Sequence, residues 1–198
     1  MGHGRSETMI WKRIFGRRRG EEEAFSLYRA VVAQARLPAF YLQGGVPDTV
    51  EGRFEMVSLH AFLVLRRLRA AGAEGRALGQ RVFNVLFDDM DQTLREMGVG
   101  DLSVGKKIKA LAASFYGRIG AYEDGLRAND HAVLADALAR NVFGQAVAEG
   151  HAAMLADYVR QCDQALASQS ADDIMAGHVE FVAPPESTDR ADRLVAGN

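Results

Sequence analysis

The stretch from Val50 to about Ala70 most constrains what this chain can fold into. Spaced at ~100° per residue, Phe54, Val57, Leu59, Phe62, Leu63, Leu65 and Leu68 cover most of a helix's circumference. A helix that is apolar nearly all round has to be enclosed by others, so this one is expected at the centre of a bundle. Asp48-Thr49-Val50-Glu51 has the Asp-x-x-Glu form of a capping box and marks its start. The longest unbroken apolar run, Ala61-Phe62-Leu63-Val64-Leu65, stops at Arg66-Arg67. That is far short of the roughly 18 residues a bilayer span needs, and integral membrane insertion is not expected.

Flanking segments repeat the helical period. Phe25, Tyr28, Val32 and Ala35 mark the buried face of a helix opened by Glu21-Glu22-Glu23, where carboxylates suit a helix N-terminus, and closed by Pro38. Further helices are expected over residues 77–97 (Val82, Phe83, Leu86, Met90, Leu94, Met97) and 104–122 (Ile108, Leu111, Phe115, Ile119, Tyr122). Weaker stripes cover 131–147 (Leu134, Leu138, Val142) and 151–168 (Leu155, Tyr158, Val159, Cys162, Leu166). Alternation of period two occurs only at His178-Val179-Glu180-Phe181-Val182, too short to define a sheet. The expectation is an all-α, single-domain bundle of about six helices. Its segments are a basic arm over 1–20, a helical body over 21–183 and a polar, disordered tail over 184–198. The 198 residues, 48% of them hydrophobic, suffice for a core without a disulfide or metal staple. The single cysteine, Cys162, excludes an internal disulfide and fits a reducing compartment.

Net charge is −2, but residues 1–19 carry +5 and leave −7 on the remainder. Such an asymmetry marks an interaction arm on an acidic body. Within Ser6–Arg19, Ile10, Trp11, Ile14 and Phe15 fall in an arc of about 140°, with Lys12 and Arg13 opposite and Arg17-Arg18-Arg19 following between Gly16 and Gly20. One reading puts Trp11 and Phe15 into the interface of an anionic membrane, with these basic residues against its headgroups. An arm tracking RNA phosphates, a disordered extension and a helix packed back on the body are the alternatives. No apolar stretch of 7–15 residues follows the basic residues, so no secretory signal is expected; an organelle transit peptide stays open.

Motifs for chemistry are sparse. Gly100-Asp-Leu-Ser-Val-Gly105-Lys106-Lys107 matches a phosphate loop but has Lys107 where Ser or Thr should meet magnesium, and it follows a helix rather than a strand. It reads as a helix junction, with Gly98 as C-cap and Asp101 or Ser103 as the next N-cap. His3, His60, His131, His151 and His178 form no metal-ligand spacing, so no metal or cofactor is expected. His60 reads as a hydrogen-bonded core or groove residue. Cys162 lies on an apolar face as a buried, inert thiol, and Ser58, Ser103 and Ser114 lack a nucleophile elbow. No catalytic residue is expected. Asp88, Asp89 and Asp91, followed by Glu96 and Asp101, form an acidic run. Such a run is either a solvated face or a surface for a basic partner, with the dense block from Arg95 through Lys106 and Lys107 to Lys109, then Tyr116 and Arg118, adding contacts.

The stretches Leu27–Arg36 and Val46-Pro47-Asp48-Thr49-Val50-Glu51-Gly52-Arg53-Phe54-Glu55-Met56 resemble the ubiquinol–cytochrome c chaperone family. Asp88-Asp89-Met90-Asp91, the run Leu94–Lys107, Phe115-Tyr116-Gly117-Arg118 and Gly177-His178-Val179-Glu180-Phe181 extend the resemblance over about 25–182. It implies an all-helical, non-enzymatic assembly factor of the cytochrome bc complex. It also implies newly made cytochrome b as client, a ribosome contact near the tunnel exit and a small partner protein. Location would be cytoplasmic and peripheral to the inner membrane in a bacterium, or on the matrix side of a mitochondrion.

Cytoplasmic loops of membrane proteins are rich in Lys and Arg, which suits an acidic body. The expectation is that the arm (Ile10, Trp11, Lys12, Arg13, Ile14, Phe15, Arg17, Arg18, Arg19) holds the protein at lipid. The client-binding candidates are Asp88, Asp89, Asp91, Arg95, Glu96, Asp101, Lys106, Lys107, Tyr116 and Arg118. Two other readings are a helical module holding quinone or haem in a deep pocket near His60, Phe62 and Tyr116, and a nucleotide enzyme using Gly100–Lys107.

Overall fold

A computed structural model describes residues 4–128, 130–144 and 150–185, with side chains from residue 20 onward. The elements are α1 (Gly4–Ala35), α2 (Pro38–Leu42), α3 (Val50–Ala70), α4 (Gly72–Glu96), α5 (Asp101–Arg127), α6 (His131–Leu138), α7 (His151–Ser168) and α8 (Ala171–Met175). A π-helical turn, Ala139–Phe143, continues α6. The described residues contain no strand. Six helices have eight residues or more, and the chain forms one all-α domain.

α3 is the centre. From Met56 to Val64 every residue is buried, with α1, α4 and α7 packed around it. Thr49, not Asp48, is its N-cap: the Thr49 hydroxyl accepts from the Gly52 N–H at 3.0 Å. Asp48 instead pairs with Arg53 at 2.7 Å, because a carboxylate one position too early reaches a guanidinium but not the orphan amides. α1 runs unbroken through Gly16 and Gly20, so Glu21–Glu23 lie within a helix rather than at its start. Glycine inside a helix costs about 1 kcal/mol, too little to stop one that continues into a packed stretch. The side chains of the basic arm (Ile10 to Arg19) and the tail over 186–198 lie outside the described residues.

The α4–α5 junction closes with paired bonds from Gly98 N–H to Arg95 O and Val99 N–H to Leu94 O. This is a Schellman motif, and Gly98 sits at φ +80°, where glycine avoids the clash of a Cβ. Gly100, rather than Asp101 or Ser103, is the N-cap of α5. α8 ends in the same motif at Gly177 (φ +89°), where an added Cβ would lie 3.1 Å from Glu23 Cα on α1.

Residues 178–185 are extended and form no strand. Their backbone bonds go to side-chain amides instead. Gln169 donates to Glu180 O (2.6 Å) and accepts from Glu180 N–H (3.0 Å), and Gln34 donates to Val182 O (2.9 Å). The alternating pattern therefore serves a strap across α1 and α7.

Candidate functional site

α5 crosses the α3–α4 pair and leaves an open groove of about 450 Å³ on one side. Its walls are the first turns of α3 (Val50, Glu51, Phe54, Glu55), the end of α4 (Met90, Thr93, Leu94, Met97) and the middle of α5 (Lys107, Ala110, Leu111, Ser114, Arg118). Most of that surface is apolar. Met97 is 59% exposed at its mouth, and Val50 is exposed as well. Thioether side chains are flexible and polarisable, so they adapt to varied apolar surfaces.

The floor carries a buried ion pair. Arg118 on α5 grips both carboxylate oxygens of Glu55 on α3, the bidentate geometry that favours arginine. Burial pushes the Glu55 carboxyl up, and Arg118 pulls against it. The Arg118 guanidinium also lies over the Phe54 ring, 5.9 Å from its centroid. Such a pair ties α5 to α3 at a fixed register.

The candidates named from sequence separate into groups. Lys107 and Arg118 line the groove. Asp91 (2.5 Å) and Asp101 both pair with Arg95, so that trio keeps one net negative charge at the α4–α5 corner. Glu96 accepts from Gln92 at 2.8 Å. Asp89 accepts from the Tyr28 hydroxyl at 2.6 Å, which joins α4 to α1. Asp88 is exposed, as is Lys106. Tyr116 lies on another flank of α5, beside a smaller cleft. The acidic run is thus four separate environments rather than one convergent surface.

Sequence reasoning assigned Phe54, Met90, Leu94 and Leu111 to buried faces, and here they wall a groove open to solvent.

His60 is a core residue. Its Nδ1–H donates to Met56 O (2.7 Å), its Nε2 accepts from the Tyr158 hydroxyl (2.8 Å), and that oxygen accepts from Gln34 (2.9 Å). Phe40 and Phe181 meet the imidazole edge-on, with centroids 5.4 and 5.2 Å away. Burial lowers its pKa to about 4. Neither nitrogen is left to ligate iron. His60 and Phe62 are enclosed while Tyr116 is 58% exposed, so these three do not share the pocket a quinone or haem module requires. Gly100–Lys107 is a helix junction and first turn, preceded by a helix. Cys162 is buried, and burial raises its thiol pKa. Among the described residues no three His, Cys, Asp or Glu side chains gather to hold a metal ion, and no helix is long and apolar enough to cross a membrane.

The family described as "Ubiquinol-cytochrome C chaperone" matches residues 42–181. Ubiquinol-cytochrome c reductase complex assembly factor 1 from Mus musculus and from Homo sapiens are each 29% identical over 153 residues, 77% of this chain. The match covers 52% and 51% of those proteins, so the chain spans about half the length of these curated relatives. The crystal structure of the Cbp3 homolog from Brucella abortus superimposes with a TM-score of 0.79 at 39% identity, covering 88% of this chain and 97% of that one. The family match takes in the groove, the α4–α5 corner and the strap as far as Phe181, and leaves out the basic arm.

Proposed function

Because the chain belongs to the ubiquinol–cytochrome c chaperone family, we propose that it is an assembly chaperone of the cytochrome bc complex that holds newly made cytochrome b in the α3–α4–α5 groove. The family consists of assembly factors rather than enzymes. The observation that carries the reading is the groove itself: about 450 Å³, mostly apolar, thioether-lined and open along its length. A helix-in-groove partner presents apolar side chains at i, i+3, i+4 and i+7, and a freshly made membrane helix is apolar on every face. Methionines at the mouth suit a holder that takes more than one such segment.

Polar groups around the groove serve orientation more than affinity. Lys107 and Glu51 offer charges of both signs at its edge, and Asp88 is exposed on the face of α4 turned away from it. Basic client loops that extend beyond the groove would meet Asp88 on the outer face of α4, while the basic arm would hold the protein against anionic lipid on the cytoplasmic side of a bacterial inner membrane, or on the matrix side in a mitochondrion. A ribosome contact near the tunnel exit and a small partner protein belong to the same reading, drawn from the family.

The test is complementation. In cells lacking the protein, wild type restores the b-type haem absorbance of the assembled complex. Met97→Asp puts a charge at the groove mouth on a side chain already exposed, so folding is spared. Its expected outcome is a large loss of that absorbance. Full restoration by a folded Met97→Asp would contradict the groove as client site.

A further inference from the structure

On the opposite flank of α5 from the client groove lies a second cleft, of about 210 Å³, lined by Leu65, Arg69, Gly75, Arg76, Gly79, Gln80, Phe83, Tyr116 and Ile119. Its floor is apolar, and its mouth carries two exposed guanidiniums. Arg69 stands 4.0 Å from Oε2 of Glu123, at the limit of ion-pair range. Arg76 makes no ion pair among the described residues. Arg66 and Arg127 (2.9 Å) both pair with Oε1 of Glu123, so three guanidiniums surround one carboxylate and positive charge is left over on this flank. Tyr116 forms one wall with its ring held near-parallel to Phe83, 30° apart at 5.4 Å, and its outer part in solvent.

The adjoining surface of α5 is uncovered. At helical spacing Leu102, Lys109, Ala113, Tyr116 and Gly120 share an arc of about 60°. Leu102 is wholly exposed, and nothing packs within 4 Å of where a Cβ on Gly117 or Gly120 would lie. Small residues along this face let the helix axis lie close to a plane over about 27 Å. The cations bordering it are Lys106, Lys109, Arg69, Arg76 and Arg127, with Asp124 among them. An amphipathic ring at the rim, an exposed leucine and guanidiniums over an apolar floor are the chemistry of a water–lipid boundary.

We infer that this face of α5 is a second membrane contact, and that the cleft takes the phosphate of an anionic phospholipid between Arg69 and Arg76 with its glycerol end on the apolar floor. A bilayer is favoured over an acidic peptide because an exposed leucine, an exposed tyrosine ring and the apolar part of the cleft accompany the cations, and a purely acidic partner would leave these unmatched. The contact shares no lining residue with the client groove, so that reading can fail and leave it standing.

The test uses the full chain carrying Leu102→Cys with an environment-sensitive dye; Cys162 is buried and stays unlabelled. Vesicles of phosphatidylcholine with phosphatidylglycerol should shift the dye to the blue, and phosphatidylcholine alone should not. Arg69→Gln with Arg76→Gln should raise the lipid concentration needed about thirtyfold, in keeping with the attraction of each basic residue to an anionic surface. Dissolved glycerol phosphate should not suppress the shift. An unshifted dye on vesicles that still sediment the protein would overturn the inference, as would a double variant indistinguishable from wild type. Displacement by millimolar glycerol phosphate would make this a soluble-phosphate site and overturn the membrane contact. So would a polyglutamate peptide that binds wild type but not the double variant, with no dye shift on vesicles.

Discussion

Protonating His60 would place a cation among Phe40, Phe181 and Tyr158 with no carboxylate against it, which is why burial lowers its pKa to about 4. The unfolded chain protonates the same ring near pH 6.5. The unfolded state therefore binds more protons between these values, and stability falls as pH drops from about 6.5 toward 4. The difference of about 2.5 units corresponds to about 3 kcal/mol at the acid end. Urea titrations at pH 7 and pH 4.5 should show a smaller loss in His60→Gln than in wild type; equal losses would remove His60 as the source. The Glu55–Arg118 pair predicts an asymmetry of another kind. Arg118→Leu leaves a carboxylate buried without a partner and should cost about 3 kcal/mol or more. Glu55→Leu leaves a guanidinium that reaches the open groove, so it should cost less. Denaturant midpoints for the two variants decide this, and a larger loss for Glu55→Leu would contradict it.

At the scale of elements, helix existence was legible because each stripe of apolar residues has to face a neighbour. The α7 stripe was read at 151–168, and α7 spans His151–Ser168. Where the reading went wrong, the deciding contacts were non-local or a single position shifted. Glycines at 16 and 20 look like stops in a local pattern, yet α1 continues through both. Over 131–147 the periodicity hid a π-helical turn, since its extra residue lets Val142 and Phe143 stay buried without a visible break in composition. For the site, the charged run at 88–101 was conspicuous in sequence, but Asp91 and Asp101 are held by the nearby Arg95 and Asp89 by the distant Tyr28 on α1. The groove was not legible, because which apolar residues remain uncovered depends on how α5 crosses α3 and α4. The strap makes a prediction at this scale. Gln169→Ala removes both bonds to Glu180, so amide exchange at Glu180 should quicken while α3 and α7 keep their protection. Unchanged exchange would mean that Phe181 packing alone holds the strap.

Across the whole molecule, charge is segregated: +5 in the first 19 residues and −7 in the rest. Attraction of such an arm to anionic lipid is screened within about 8–10 Å at ordinary salt. Vesicle binding by the full chain should weaken as salt rises from 50 to 500 mM, and Arg17→Gln with Arg18→Gln and Arg19→Gln should weaken it further at low salt. Binding indifferent to both changes would reject the arm as an anchor. Set against that arm, the single core built around α3 gives a rigid body with one large apolar groove, and the account turns on what that groove holds. A photo-crosslinking amino acid at position 97, in cells synthesising cytochrome b, tests this most directly. The account predicts a covalent adduct with cytochrome b from position 97 and none from position 133 on α6. Adducts from both positions alike, or none from position 97 while cytochrome b is being made, would contradict it.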